Sequence, residues 1–269
     1  MLYGDFAVES LKGNERAIIF FDIDGTLCRY EDTVNDNIKK CFKSLHERSH
    51  MVFLCTGRSP KDISHDILSL GFDGIIACMG AIIIQENEVL QNKFIPPDML
   101  VETVGAMIKR KVPALILGMD EVMRTEQMEP TPLETGIVRS VDDLYRNGKL
   151  VEISSLDIEY PSVSALGPIR EMIDRHSNLI EYNETSGQTR LKGVNKAEAI
   201  RAVLERLPYS NLRSYAIGDS QNDIEMLNCV DVGIAMGDAP EDVKSVASWI
   251  TSTVEEDGVC KAMGHFGLV

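Results

Sequence analysis

The sequence carries little positive charge and few aromatic residues. Its 27 Lys+Arg residues against 42 Asp+Glu residues give a formal net charge of −15. A chain with this charge repels a polyphosphate backbone and an anionic membrane surface. Aromatic residues make up 6% of the chain, and Trp occurs once. We therefore expect neither a nucleic acid nor a membrane as a partner.

The spacing of the cysteines and the length of the hydrophobic runs exclude further classes of protein. The 6 cysteines form no CxxC pair and no cluster with histidine, so neither a zinc site nor a disulfide framework is indicated. No apolar run approaches the roughly 20 residues that a membrane-spanning helix needs. The first sixteen residues contain no basic segment followed by an apolar run, which predicts a cytoplasmic protein.

The remaining composition is that of a folded protein of 269 residues, 44% hydrophobic, with one large domain or two. From Arg16 onward, short apolar runs alternate with amphipathic stretches, which is typical of an α/β protein built on a parallel sheet. Between Gln85 and Asn183 the predicted strands and helices lack comparable Gly-Asp or Thr-Gly strand ends. We interpret this range as an inserted α/β domain. The predicted segments are a core of 1–84, an insert of 85–183 and a second core segment of 184–269, with residues 1–15 unplaced. In the insert, helices are predicted at Asp98–Lys111, Val141–Arg146 and Ser162–His176, and strands at Ala114–Leu117, Leu150–Ser154 and Asn178–Tyr182.

Reactive side chains follow three of the predicted strands. Asp22 and Asp24 come after the apolar run 17–21, Thr56 after 51–55, and Asp219 after 215–217. Ligands of an open parallel sheet bind at the carboxyl ends of its strands, so these residues are expected to converge on one crevice. A lone Asp-x-Asp is usually a solvated turn, but here Gly25 and Thr26 follow it and could form a corner that cradles a phosphoryl group.

Three carboxylates beside a phosphate require cations, because like charges at this spacing repel one another. Oxygen ligands without histidine or cysteine favour a hard ion, and Mg2+ is the natural candidate. Lys196, at the start of a predicted helix, could add a second positive charge. Lys192 is the alternative, interpreted as a solvated residue. Asn222 and Asp223 could either bind the metal or orient Lys196.

Taken together, four motifs in this order resemble the haloacid dehalogenase (HAD) superfamily, specifically its Cof-type (subfamily IIB) hydrolases. They are Asp22-Ile-Asp24-Gly-Thr26, Thr56-Gly57-Arg58, Lys192-Gly-Val-Asn-Lys196 and Gly218-Asp219-Ser-Gln-Asn222-Asp223. The segments Gly233-Ile-Ala-Met-Gly237-Asp238-Ala239 and Glu256-Asp257-Gly258-Val259 also resemble this subfamily. The resemblance implies a Rossmann-like parallel-sheet core with an inserted α/β cap domain.

The same resemblance implies a Mg2+-dependent phosphatase that acts on small phosphorylated metabolites, such as sugar phosphates. In this scheme Asp22 is the nucleophile that forms an aspartyl phosphate, and Asp24 is the general acid and base. Thr56 binds phosphoryl oxygens, and Lys196 offsets their charge. The implied phosphate-binding residues are Asp22, Thr26, Thr56, Gly57 and Lys196. The implied metal-binding residues are Asp22, Asp24 through its carbonyl group, Asp219, and Asn222 or Asp223 in support.

Two positions depart from the subfamily pattern. Met79 stands where asparagine is usual, and Ala197 where glycine is common. Because Met79 lacks the side-chain amide of asparagine, we expect a hydrogen bond to substrate or to the junction of core and cap to be missing there. Two alternative functions remain open at this stage. One is transfer of the phosphoryl group between sugar positions, as in the related phosphomannomutases, and the other is a phosphometabolite-binding module without catalysis.

Overall fold

The computed structural model describes residues 16–29, 33–207 and 212–269, so residues 1–15 lie outside the described part. In chain order, the strands are β1 Ala17–Phe21, β2 Met51–Cys55, β3 Gly74–Ala77, β4 Ile82–Gln85, β5 Glu88–Asn92, β6 Ala114–Gly118, β7 Val122–Thr125, β8 Gly136–Val138, β9 Tyr145–Arg146, β10 Lys149–Leu150, β11 Ile153–Glu159, β12 Ser177–Asn183, β13 Ser186–Leu191, β14 Arg213–Gly218, β15 Val232–Ala235 and β16 Trp249–Ile250. The α-helices are α1 Asp36–Glu47, α2 His65–Leu68, α3 Pro97–Arg110, α4 Pro168–His176, α5 Lys196–Arg206, α6 Ile224–Cys229, α7 Glu241–Val246 and α8 Gly258–His265.

The described residues form two units. The first contains the described parts of Met1–Phe53, Ser69–Phe72 and Leu207–Val269, and the second contains Leu54–Leu68 and Asp73–Arg206. The predicted division into 1–84, 85–183 and 184–269 stays a prediction. Strand β13, which follows the predicted end of the insert, pairs with β11 and β12.

The first unit is built on strands in the order β16-β15-β14-β1-β2, of which β16, β15, β14 and β1 are parallel, and the last residues of β2 belong to the second unit. All five residues of β1 are buried, as expected for a central parallel strand covered on both faces. Helix α1 begins after Asn35, whose side chain accepts a hydrogen bond from the Ile38 amide. Its apolar face packs on the sheet, with the Phe42 ring centroid 4.9 Å from that of Phe21.

The second unit contains the end of β2, followed by β3, β4 and β5 in that order, and a separate six-stranded sheet. The six-stranded sheet has the order β12-β13-β11-β6-β7-β8 and is largely antiparallel. Helices α3 and α4 bury apolar residues in the same hydrophobic cluster as the sheet. This cluster includes Leu100, Val104, Met107, Ile116, Leu156, Ile169 and Ile173.

The predicted α/β class is confirmed, because helices accompany both a mixed sheet with a parallel centre and the largely antiparallel six-stranded sheet. The six cysteines, all of them among the described residues, form no disulfide bond. Within the described ranges, no helix has both the length and the apolar composition needed to cross a membrane.

Candidate active site

A tight turn after β1 positions Asp22 and Asp24. The carbonyl group of Ile23 accepts hydrogen bonds from the amides of Thr26, at 3.1 Å, and Leu27, at 2.9 Å. Gly25 has a φ of +76°, a conformation that residues with a side chain rarely adopt. The turn leaves Asp22 buried and Asp24 partly exposed.

The turn after β14 brings a second carboxylate to the end of the sheet. Strands β1 and β14 are parallel and in register, with Phe21 opposite Ile217, and the Asp22 amide donates to the Ile217 carbonyl. Asp223, fully buried, accepts hydrogen bonds through Oδ2 from the amides of Asp219 and Ser220, both at 3.0 Å. These bonds close the turn and orient Asp219.

Asp22, Asp219 and Asp223 form an acidic cluster in the first unit. One carboxylate oxygen of each lies within 4.8 Å of the others. Thr26 donates its hydroxyl to Oδ1 of Asp219 at 3.2 Å, and a Cβ on Gly25 would overlap the same carboxylate. Three carboxylates this close, two of them buried, repel one another, and a cation between them would offset that repulsion. The oxygen-only donor set fits a hard divalent cation such as Mg2+.

In the second unit, a different turn follows β2. Thr56 is completely buried, its amide donates to the Ile76 carbonyl at 2.8 Å, and its carbonyl group accepts from the Met79 amide at 3.0 Å. The Cys78 amide donates to the Arg58 carbonyl at 2.8 Å. The turn of residues 56–58 is thus held by the loop of residues 78–80. Burial, with a smaller contribution from the Asp62 carboxylate, raises the pKa of the Cys78 thiol, which disfavours the thiolate form.

The same loop positions the start of α5. Cys78, Met79 and Gly80 all have positive φ, and a Cβ on Gly80 would overlap the carbonyl oxygen of Asn195. This close approach fixes the backbone directly before Lys196. Lys196 is buried, at 1% exposure, whereas Lys192 is exposed. One loop therefore contacts both the turn of Thr56 and the residue that precedes Lys196.

Comparisons with known proteins agree with these motifs. The family model of the haloacid dehalogenase-like hydrolases matches residues 19–263. The chain belongs to this family. YkrA of Bacillus subtilis, provisionally named a phosphatase, is 30% identical over 257 residues, which cover 94% of this chain and 98% of YkrA. The 5-amino-6-(5-phospho-D-ribitylamino)uracil phosphatase YcsE of the same organism is 27% identical over 93% of this chain and 96% of its own.

A solved structure of a HAD subclass IIB sugar phosphatase has a TM-score of 0.77 and 25% identity, covering 94% of this chain and 100% of that one. The predicted HAD membership, fold and enzyme class, a phosphoric monoester hydrolase, are confirmed by the family match together with these similarities. The roles of individual residues in this HAD chain stay predictions.

The structure divides the predicted HAD site residues into two groups. The first unit holds Asp22, Asp24, Thr26, Asp219, Asn222 and Asp223, and the second holds Thr56, Gly57 and Lys196. Among the described residues, the carboxylate of Asp24 is not a member of the acidic cluster. Asn222 accepts a hydrogen bond from the Ser220 hydroxyl at 3.1 Å.

Sequence reasoning missed two residues that lie against the Thr56 turn. Gln188 donates its amide to the Gly57 carbonyl at 2.9 Å, and Tyr182 donates its hydroxyl to Oε1 of Gln188 at 2.6 Å. They lie on β13 and β12, and only the two-residue alternation of a strand could have indicated which face they share.

Three arginines of the insert, whose charge could serve to contact a second anion, all have acidic partners. Arg124 is 2.6 Å from Glu134, Arg139 is 3.6 Å from Glu126, and Arg146 is 3.4 Å from Glu121. A second anion would have to compete with a carboxylate at each of them. The geometry gives no reason to assign these arginines to substrate.

Proposed function

We propose that this HAD-family chain hydrolyses small phosphomonoesters, such as a sugar phosphate, by a Mg2+-dependent reaction with a covalent intermediate on Asp22. The observation that carries the proposal is the acidic cluster of Asp22, Asp219 and Asp223 beside the Gly25 turn. Like-charged carboxylates at the end of a central strand are costly, and a reaction on a metal-bound phosphate accounts for them. The sugar phosphatase and ribityl phosphate phosphatase among its relatives support a small polyol or sugar ester.

The reaction would proceed in two steps. The Asp22 carboxylate attacks phosphorus, the bond between phosphorus and the ester oxygen breaks, and Asp24 protonates that oxygen as the alcohol leaves. Asp24 then removes a proton from water, whose oxygen attacks the phosphorus of the aspartyl phosphate. The bond between phosphorus and Asp22 breaks, inorganic phosphate is released, and the Asp22 carboxylate is restored.

The phosphoryl oxygens would be bound by Thr56, Gly57 and Lys196. The Thr56 hydroxyl oxygen accepts from the Arg58 amide at 3.1 Å, which leaves the hydroxyl hydrogen to donate to phosphate. The buried ammonium of Lys196 offsets the negative charge of the transferring group. Thr26 already donates its hydroxyl to Asp219, so it reaches phosphate only by giving up that bond, and its main role is to orient Asp219.

Mg2+ would be held by the carboxylates of Asp22 and Asp219 and by the carbonyl group of Asp24, with Asn222 or Asp223 in support. When bound, it neutralises part of the charge on the phosphate and on the acidic cluster. Asp223 acts mainly through the turn, since its Oδ2 already accepts the amides of Asp219 and Ser220.

The test is hydrolysis of p-nitrophenyl phosphate by the purified chain, with Mg2+, with EDTA, and in the Asp22→Asn variant. We expect activity that needs the metal and falls by more than about a thousandfold in Asp22→Asn. The matched control is Asp120→Asn, a substitution of the same type at an exposed position, which should retain full activity. Activity that survives in Asp22→Asn contradicts the assigned nucleophile.

Product analysis with sugar phosphates separates hydrolysis from the alternatives. Hydrolysis releases one inorganic phosphate per ester consumed, whereas transfer to a second hydroxyl group releases none. Tight binding of sugar phosphates without any turnover would favour the binding module instead.

A further inference from the structure

The turn of residues 56–58 has a nearly complete set of hydrogen bonds within the second unit. The Thr56 amide and carbonyl group are bonded to Ile76 and Met79, and the Arg58 amide and carbonyl group to the Thr56 hydroxyl and Cys78. The Gly57 carbonyl accepts from Gln188. Among the described residues, the Gly57 amide is the N–H group of this turn that has no protein partner. It is therefore the donor that the turn can offer to a ligand.

The direction of that amide depends on the peptide planes on either side of Gly57. The plane before Gly57 is held through the Thr56 carbonyl by the Met79 amide. The plane after it is held through the Gly57 carbonyl by Nε2 of Gln188 and through the Arg58 amide by the Thr56 hydroxyl. Glycine has no Cβ to restrict its own dihedral angles, so external bonds must fix them.

Gln188 is suited to hold this carbonyl group. Its side chain is buried, at 2% exposure, and a Cβ on Gly57 would lie 2.7 Å from its Oε1 and 3.4 Å from the Tyr182 hydroxyl oxygen. The Tyr182 hydroxyl donates to Oε1, which leaves Nε2 to face the Gly57 carbonyl. The reversed amide would place two acceptors, Oε1 and the Gly57 carbonyl, against each other. Tyr182 thus sets the orientation of the Gln188 amide.

We propose that Gln188 is a positioning residue for the phosphatase reaction: by holding the Gly57 carbonyl, it aims the Gly57 amide at the substrate phosphate, with Tyr182 fixing the Gln188 amide. This inference rests on the proposed function. It links strand β13 of the six-stranded sheet to the phosphate-binding turn through one side chain. In this proposal Gln188 acts through the Gly57 carbonyl and not by contact with the substrate.

The experiment compares the wild-type chain with Gln188→Met, which keeps the length of the side chain but cannot donate to Gly57. The first readout is amide hydrogen exchange at Thr56 and Arg58 by NMR, where we expect faster exchange in the variant by about tenfold or more. The second is competitive inhibition of p-nitrophenyl phosphate hydrolysis by inorganic phosphate. We expect its inhibition constant to rise, and kcat/KM to fall, by about tenfold to a hundredfold, because a positioned donor is lost.

Two further variants complete the design. Tyr182→Phe removes the hydroxyl that orients the amide, and it should shift both readouts in the same direction as Gln188→Met but less. Gln127→Met is the matched control, the same substitution at an exposed turn of the insert, and it should shift neither.

The outcomes separate this inference from the proposed function. If the wild-type chain hydrolyses no phosphate ester, the proposed function fails, and the exchange readout alone decides whether Gln188 holds the turn. Unchanged exchange at Thr56 and Arg58 in a folded Gln188→Met variant overturns the inference, whatever the activity. Faster exchange with an unchanged phosphate inhibition constant also overturns it, because the contact would then be structural only.

Discussion

Gly25 is constrained by its backbone and by its neighbour at the same time. It has a φ of +76°, and a Cβ there would overlap the Asp219 carboxylate. We expect Gly25→Ala to abolish Mg2+-dependent hydrolysis, because the added methyl group displaces Asp219 from the acidic cluster. Urea unfolding measures the stability lost through backbone strain at this position, and phosphatase assays measure the loss of hydrolysis.

Gly148→Ala is the matched control for this substitution. Gly148 has a φ of +77°, and a Cβ added there would meet no atom within 4 Å. An alanine at this position therefore lowers the free energy of unfolding only through its unfavourable backbone conformation, by about 1 kcal/mol. Gly148→Ala should be slightly destabilised and fully active. Equal activity in the two variants would contradict the role given to Gly25.

His176 makes stability depend on pH. Burial, with the charges of Arg175 and Lys192, lowers its pKa to about 4 from 6.5. Between these two values the unfolded chain binds more protons than the folded chain, so the free energy of unfolding falls as pH decreases from 6.5 to 4.

The His176→Gln variant tests this dependence by urea unfolding from about pH 4 to about pH 7.5, a range that spans both pKa values. The variant loses contacts of His176 with Thr103 and Ser177 at every pH, so only the pH-dependent difference is diagnostic. The advantage of the wild type at neutral pH should shrink toward acidic pH by up to about 3 kcal/mol, at about 1.4 kcal/mol for each pKa unit. A difference that stays constant over this range would refute the assignment.

At the residue scale, the sequence predicts functional residues that come directly after a strand. It does not predict a residue whose side chain contacts a partner far away in the chain. Asp22, Thr56 and Asp219 could be predicted because each follows a short apolar run and parallel strands end at one edge. Gln188 could not, because its partner Gly57 is far away in the chain and a buried glutamine has no local signature. Only the hydrogen bond to Gly57 reveals its place.

Strand β13 is joined to β11 by a side-chain bond next to the end of their backbone pairing, which runs from Asp157 opposite Gln188 to Glu159 opposite Ser186. There the buried Thr189 hydroxyl oxygen accepts from the Leu156 amide at 2.8 Å. Thr189→Val should lower the free energy of unfolding by about 1–3 kcal/mol, because it leaves a buried amide without an acceptor. Thr189→Ser, which keeps the oxygen, should lose clearly less. Chemical denaturation measures both, and equal losses would contradict the role of the hydroxyl group.

Element boundaries were predictable where apolar periodicity is simple. Strands β1 and β2 match the predicted apolar runs, and α3 differs from the predicted helix by one residue at each end. The predicted helix Ser162–His176 is wrong in its first half, because Gly167 has a φ of +50° and Pro168 starts α4. The Gly-Pro pair is a signal for this break.

Two other predictions failed for different physical reasons. Val141–Arg146 is a short 3-10 turn followed by a strand of a small hairpin, whose turn contains Asn147 and Gly148, both with positive φ. Asn-Gly favours such a turn. The strand predicted at Leu150–Ser154 is displaced to Ile153–Glu159, because Ser154 and Ser155 are buried in it and disguise its apolar pattern.

For the whole molecule, the acidic cluster adds local repulsion to a chain of net charge −15. Mg2+ should therefore raise Tm more than NaCl does at equal ionic strength. At a hundredfold excess of Mg2+ over its Kd, binding adds about 2.7 kcal/mol to the free energy of unfolding. Asp219→Asn should lose this increment. Without metal it should melt no lower than the wild type, since one repelling charge is gone. Thermal unfolding with and without Mg2+ decides, and an undiminished Mg2+ effect in the variant would exclude the cluster as the binding site.

Two short links flank the chain segment that contains the six-stranded sheet, and they determine how this segment could be exchanged. Residues 93–96 join β5 to α3, and residues 192–195 join β13 to α5. A chimera that takes this segment from a relative would have its second junction within residues 192–195. This link ends at Asn195, whose carbonyl group packs against Gly80. Grafts that end at Leu191 and keep residues 192–196 of the recipient preserve that junction. Grafts that extend through residue 195 replace the backbone on which the buried lysine depends.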